Sequence, residues 1–309
     1  MLRPYIRVLD FDASVVLQQN LIGRYNAEII PLQDVGPRAR LWLDAAAQEE
    51  IEKKLGVASR SAVTFLGSGD FHHISSLLLG RFEEPLTLIV FDFHPDWDIL
   101  PPRLGCGSWV NRALEKKNVL KCILTGISSE DISTGYIQTG NLKSFRDNRV
   151  ELYPYSHKPT VTVFKTVPST ECCVSRGKFF LKKIFWNELR EKNIPVFFAG
   201  LMKRLPSRTV YISIDKDCLR NEYAITNWEE GRLTLEQLLV MIKVIRQNCD
   251  IIGADITGDF SPVSVQGPLK KMLIRLDHPK GVHPETLSSA YVREINEKTN
   301  LALVSALLE

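Results

Sequence analysis

The 309-residue chain contains no apolar run approaching the ~18 residues that a membrane helix needs. Its first residues, MLRPYIRVLDFD, carry Arg3, Arg7, Asp10 and Asp12 and lack the continuous apolar stretch of a secretory signal. Disulfide scaffolding is also missing. The six cysteines, Cys106, Cys122, Cys172, Cys173, Cys218 and Cys249, contain no Cys-x-x-Cys pair and are too sparse for a stapled secreted fold. Charge of one sign is missing as well: 39 Lys and Arg stand against 36 Asp and Glu, a net charge of +3. That balance leaves no footprint for nucleic acid or a membrane surface. The short basic pairs Lys182-Lys183 and Lys270-Lys271 read as solvated faces. A cytoplasmic protein acting on a small molecule is the expectation. No internal repeat and no low-complexity linker divides the chain.

What is present is an alternation of short apolar runs and amphipathic stretches. Strands are expected at 4–9, 62–66, 86–92, 120–125, 195–199, 209–214 and 250–255. Helices are expected at 40–55, 72–79, 107–117, 180–192, 233–247 and 286–307. The run Leu86-Thr87-Leu88-Ile89-Val90-Phe91 is apolar at nearly every position, as in a strand buried on both faces. The alternation predicts an α/β protein of three layers, α/β/α, with a mostly parallel central sheet. Residues 1–309 are assigned to one domain, with an excursion or lid at 134–175, the least regular stretch.

Ligands of open α/β sheets gather outside the carboxyl ends of the strands. Three strand ends here bear acids or histidines. The first reads Asp92-Phe93-His94-Pro95-Asp96, in which alternate residues of an extended segment point the same way. Two carboxylates and an imidazole suit Mn, Zn or Fe(II); the bland alternative is a turn whose acid caps the next helix. The second reads Asp215-Lys216-Asp217. Two carboxylates so close repel one another unless a cation neutralises them, whether a metal, Lys216 or an arginine. The third is the turn Gly67-Ser68-Gly69-Asp70-Phe71-His72-His73, whose adjacent histidines lie at the same end of the sheet.

Taken in order, these motifs resemble those of the ureohydrolase superfamily of arginases and agmatinases, whose fold is shared by histone-deacetylase-like hydrolases. Asp92-Phe93-His94-Pro95-Asp96 is similar to the family's Asp-Ala-His-x-Asp. Ser213-Ile214-Asp215-Lys216-Asp217 is similar to its Ser-x-Asp-x-Asp, and Gly231-Arg232-Leu233-Thr234 to its Gly-Gly-Leu-Thr. Order and spacing agree over residues 60–260. The first motif departs from the family's Gly-Gly-Asp-His-Ser, with Phe71 in place of the Asp; His72 is the preferred match and His73 the fallback.

The resemblance implies two Mn2+ ions, with Zn2+ or Fe2+ as alternatives. One would take His72, Asp92, Asp96 and Asp215; the other Asp92, His94, Asp215 and Asp217. Such ions, ~3.5–4 Å apart, activate water against a planar, electron-poor carbon. It implies a metal-dependent hydrolase of a non-peptide C–N bond in a guanidino compound. A deacetylase-like amidohydrolase acting on an acylated amine, and a metal-binding relative without turnover, are the competing expectations. Homo-oligomers are common in the family.

The surrounding residues depart from the pattern. Asp98 stands where arginases usually have Asn, and a carboxylate there would repel a substrate's α-carboxylate, which argues against free arginine. It could equally cap a turn. Asp259, in Asp255-Ile256-Thr257-Gly258-Asp259, is the candidate substrate-side acid or a turn cap. No histidine falls between His94 and His157, where the family places its proton shuttle. Cys106 is a candidate proton donor or nucleophile, or a small buried hydrophobe. His278 and His283 either reach the site or lie in a surface turn.

Overall fold

The strand Leu86–Phe91 shows why the long apolar runs of this chain become strands: all six of its residues are buried, on both faces of the sheet. The computed structural model describes residues 5–56, 62–164, 167–178, 180–277 and 288–309. Its strands are β1 (Ile6–Asp10), β2 (Glu28–Pro31), β3 (Val63–Gly67), β4 (Leu86–Phe91), β5 (Val119–Thr125) and β6 (Val150–Tyr153). They continue with β7 (Thr160–Val163), β8 (Cys173–Arg176), β9 (Leu181–Trp186), β10 (Thr209–Asp215) and β11 (Asp250–Thr257). Eight of them form one sheet in the order β2-β1-β3-β11-β10-β4-β5-β6. Every neighbouring pair in it is parallel. With its flanking helices this is the expected three-layer arrangement.

The topology positions the site. β3 and β4 are successive in the chain, yet β11 and β10 are inserted between them. The loops leaving β3, β11, β10 and β4 therefore emerge in that order along the carboxyl edge, where an open parallel sheet forms its crevice.

The helices are legible from their caps. Asp44 accepts a hydrogen bond from Ala47 N and starts the helix Ala45–Leu55, which buries Ala47, Ile51 and Leu55. Thr234 and Gln237 form a capping box at the start of Leu235–Asn248. That helix buries Leu238, Met241, Ile242 and Ile245, each worth roughly 1.5–3 kcal/mol relative to exposure. Helices Ile194–Met202 and Ser289–Leu308 pack against it. Among the described residues no helix is long and apolar enough to cross a membrane.

Three local expectations are corrected. Residues 195–199 lie in the helix Ile194–Met202, not in a strand. A short apolar run does not distinguish the two. Asn193, accepting from Val196 N, and Pro195 in the first turn decide for the helix. Residues 181–186 form β9, not a helix: β9 pairs antiparallel with β7 and β8 in a small separate sheet, and partners on both edges override the propensity of Leu and Lys. Lys270 is buried rather than solvated, with its ammonium donating to Trp42 O at 2.8 Å and resting over the Trp42 ring. Within 134–175, β6 belongs to the edge of the main sheet, whereas β7 opens the small one. His278 and His283 lie outside the described residues.

Candidate metal centre

The loop after β4 folds back on itself to bring its acids together. Asp92 Oδ1 accepts from His94 N at 2.7 Å. Asp96 adopts a left-handed backbone, φ 46°, which a short polar side chain tolerates better than most. Its carboxylate is fixed by Trp109, whose Nε1 donates to Oδ2 at 2.7 Å.

The end of β10 supplies the second pair. Asp217 N donates to Asp215 Oδ1 at 3.1 Å, and Phe93 N donates to Asp217 Oδ1 at 3.0 Å, which ties this loop to that of β4. Two glycines make room for Asp215. A Cβ on Gly69 would stand 2.7 Å from Asp215 Oδ2, and one on Gly258 would stand 2.5 Å from Oδ1. Gly258 also has φ 89°, which side-chain-bearing residues rarely adopt.

The turn after β3 carries His72 in the short 3₁₀ helix Gly69–Ile74. Arg40 holds the turn: it is buried with Nη1 2.6 Å from Asp70 Oδ2 and Nη2 3.6 Å from Asp12 Oδ2. His72 Nε2 lies 2.8 Å from Ser213 Oγ, and Ser213 Oγ donates to Asp255 Oδ1 at 2.7 Å. The serine proton is thus used, so Nε2 carries the hydrogen of a neutral His72 and Nδ1 carries a lone pair. That lone pair faces Asp92 Oδ2 at 3.0 Å, Asp96 Oδ2 at 3.3 Å and Asp215 Oδ2 at 3.6 Å. Neither His72 Nδ1 nor Asp92 Oδ2 has a hydrogen-bond partner, and both are buried.

His94 completes a second group. Its Nδ1 lies 3.2 Å from Asp217 Oδ2 and 3.9 Å from Asp92 Oδ1, and its Nε2 lies 3.3 Å from Glu229 Oε2. The Trp228 ring stands edge-on to it at 5.6 Å. His72, Asp92 and Asp96 form one cluster able to hold a metal ion; Asp92, His94 and Asp217 form another, with Asp92 common to both.

The electrostatics express the same crowding. Burial, then the charges of Asp96 and Asp217, push the Asp92 carboxyl well above the usual range. Burial and then Asp217 push Asp215 up to about 8. Burial opposes charge on His72, yet Asp92, Asp96 and Asp215 outweigh it and raise the imidazole pKa well above its ordinary value. The bare cluster therefore takes up protons. A neutral His72 Nδ1 among carboxylate oxygens is resolved either by a proton or by a metal cation, and this donor set fits a divalent metal.

The structure places the remaining expected residues as follows. His73 belongs to neither cluster. Burial and the positive charge of Lys270 lower its pKa to about 3, so it is a neutral buried ring. Asp98 and Cys106 line a cavity of about 230 Å³ over the cluster, together with Asp131, Trp228 and Gly107. Asp98 Oδ1 accepts from Thr139 Oγ1 at 2.9 Å. Burial, then Asp96 and Asp70, push the Cys106 thiol well above its usual pKa, so it stays protonated. Asp259 does not line the cavity; its Oδ1 lies 2.9 Å from Lys216 Nζ in a buried ion pair. Asp131, Trp228 and Glu229 escaped the sequence reading. Asp131 follows β5, the neighbour of β4, and an acid at that strand end was a usable signal. Trp228 and Glu229 sit in a long loop after β10, where no local pattern marks them.

No protein-family model matches the chain. A curated protein of Thermotoga maritima, described as uncharacterized, is 27% identical over 263 residues, covering 85% of this chain and 83% of its own. Among solved structures, arginase from Bacillus subtilis is similar at a TM-score of 0.59 and 14% identity, covering 98% of both chains. Proclavaminate amidino hydrolase from Streptomyces clavuligerus is similar at 0.57 and 12% identity, covering 98% of this chain and 90% of that one. Formimidoylglutamase from Bacillus subtilis is similar at 0.55 and 12% identity, covering 98% and 86%. The chain thus has the α/β fold of the arginase, agmatinase and formimidoylglutamase type of ureohydrolase.

Proposed function

We propose that His72, Asp92, His94, Asp96, Asp215 and Asp217 form a two-metal centre that hydrolyses a non-peptide C–N bond, in a guanidino compound other than free arginine. The observation that carries this reading is the unpartnered His72 Nδ1, buried against three carboxylates. One ion would be held by His72, Asp92, Asp96 and Asp215, the other by Asp92, His94, Asp215 and Asp217. Mn2+ is the favoured ion, because carboxylates outnumber imidazoles; Zn2+ and Fe2+ suit the same donors less well. The ions supply Lewis acidity and a water that ionises near neutral pH.

The chain's own residues do the rest. Ser213 holds the His72 tautomer, and Glu229 faces His94 Nε2, so each ring presents Nδ1 to the cluster. Trp228 lines the cavity and stands edge-on to His94. Asp98 and Asp131 give the cavity wall negative charge, which disfavours a substrate carboxylate and favours an ammonium or neutral tail. A protonated Cys106 is unsuited to act as a thiolate nucleophile. The likeness to an amidino hydrolase supports a guanidino or amidino group as the reacting part. We read residues 1–309 as one hydrolase domain with an excursion or lid at 134–175, of which β7 and the start of β8 pair with β9 beyond it.

The test is a product assay on Mn-loaded protein. Guanidino compounds with cationic tails, free arginine and N-acylated amines are supplied in parallel, and urea and carboxylate are quantified. Urea from the cationic compounds, abolished by Asp92→Asn, is expected. Carboxylate release from the acylated amines alone would establish the amidohydrolase instead, and no turnover of any would leave a metal-binding protein.

A further inference from the structure

Lys216 stands between two of the site's acids, Asp215 and Asp217, and is itself 0% exposed. Its ammonium lies 2.9 Å from Asp259 Oδ1. Asp259 Oδ1 also accepts from Gln18 Nε2 at 2.7 Å, and Asn300 Nδ2 lies 3.2 Å from both carboxylate oxygens. Asn300 Nδ2 reaches Gln18 Oε1 at 2.9 Å, closing the network. Gln18 precedes the helix Gln19–Tyr25, Asn300 lies in the helix Ser289–Leu308, and Asp259 follows β11. Three distant parts of the chain thus meet at the carboxylate that pairs with this ammonium, and all four side chains are buried.

A lysine at this position is a rival for the metals. Its charge is tethered to the residues on either side, and a buried ammonium deprived of its carboxylate is strongly destabilised unless it reaches another acid or gives up its proton. Asp215 and Asp217 are the neighbouring residues in the chain. Were the ammonium to turn to them, it would occupy oxygens that a cation needs. With Lys216 neutralised by Asp259, the four carboxylates Asp92, Asp96, Asp215 and Asp217 balance two divalent ions in formal charge. We propose that Asp259 is a positioning residue that holds the Lys216 ammonium away from Asp215 and Asp217, with Gln18 and Asn300 holding Asp259 in turn. The inference rests on the two-metal reading. It gives Asp259 a role other than substrate binding and makes the helix Ser289–Leu308 a support of the centre.

The experiment compares Asp259→Asn, Asn300→Leu and the double variant Lys216→Met/Asp259→Leu with the parent protein. Mn binding is followed by calorimetry, and crystal structures are determined without metal. Asp259→Asn is expected to weaken Mn binding about tenfold or more, because the freed ammonium now competes. Asn300→Leu should weaken it less and in the same direction, and it carries the comparison should Asp259→Asn fail to fold. The double variant, which lacks the rival charge, should return to within about threefold of the parent. In metal-free Asp259→Asn, Lys216 Nζ should be found ~3 Å from an Asp215 or Asp217 oxygen. An ammonium that stays in place, unchanged Mn binding in the single variants, or a double variant as weak as Asp259→Asn would overturn the proposal. If the parent binds no Mn, the two-metal reading fails, while the position of Lys216 in the metal-free variant still decides this one.

Discussion

His72 Nδ1 lies 3.0 Å from Asp92 Oδ2, and each is a buried polar atom with no hydrogen-bond partner. An uncompensated polar atom in such a place costs about 1–3 kcal/mol, more when charged. The arrangement is therefore costly unless a proton or a metal cation joins it, which gives the first prediction.

The metal-free protein should lose stability as pH rises from about 4 to about 8. Asp215 titrates near 8 in the folded chain, above its ordinary 3.8, and His72 is raised as well. The folded state therefore holds more protons than the unfolded state across that window. Its stability contribution is present at low pH and lost as pH rises through the folded pKa. Saturating Mn should reverse the trend, since metal binding displaces those protons. Unfolding midpoints measured at several pH values, with and without Mn, check both signs.

Removing the β10 acids should remove the metals. Elemental analysis of Mn-grown protein should give about two ions per chain. Asp215→Ala/Asp217→Ala should give none, with the fold retained by circular dichroism. Stoichiometry near one in the parent, with Zn as the ion, would point to the deacetylase-like alternative.

Charge on the cavity wall should set substrate preference. Asp98→Asn and Asp131→Asn should each raise KM for guanidino compounds with an ammonium tail by about tenfold, the equivalent of ~1.4 kcal/mol. They should raise it less for compounds with a neutral tail. An equal loss on both kinds of compound would mean that the two acids support structure rather than select charge.

Gly258→Ala should damage the centre without touching a ligand. The added Cβ would meet Asp215 Oδ1 at 2.5 Å, on a backbone with φ 89°. The strained backbone costs roughly 1–3 kcal/mol, read in denaturant unfolding. The displaced carboxylate should lower Mn affinity, read by calorimetry. Gly267→Ala is the control: it has φ 99° but nothing within 4 Å of its Cβ, so it should lose stability and keep Mn affinity.

Much of the site was legible because it is local. Asp92, His94 and Asp96 follow one strand end, as do Asp215 and Asp217, so the candidate donors were visible in two short segments; the left-handed backbone at Asp96 and the 3₁₀ turn Lys216–Cys218, rather than extended alternation, orient them. The parallel sheet was legible for a similar reason: strands buried on both faces read as apolar runs, as at Leu86–Phe91. Where the pattern was short it misled. Ile194–Met202 and Leu181–Trp186 exchanged helix for strand, since one depends on a cap at Asn193 and the other on partner strands.

The amino-acid sequence by itself determined which donors exist, at which strand ends they sit and that the carboxylates outnumber the imidazoles. Only the tertiary structure decided what faces what. It brought His72, and not its neighbour His73, to Asp92 and to Ser213 of β10, although β11 lies between β3 and β10 in the sheet. It placed Asp131 and Trp228 on the cavity wall and Glu229 against His94, from segments that no local spacing connects. It also gave Asp259 to Lys216, through helices far away in the chain. The physical reason is range: side-chain direction follows from backbone periodicity within a few residues, whereas a charge finds its partner through the packing of the whole chain.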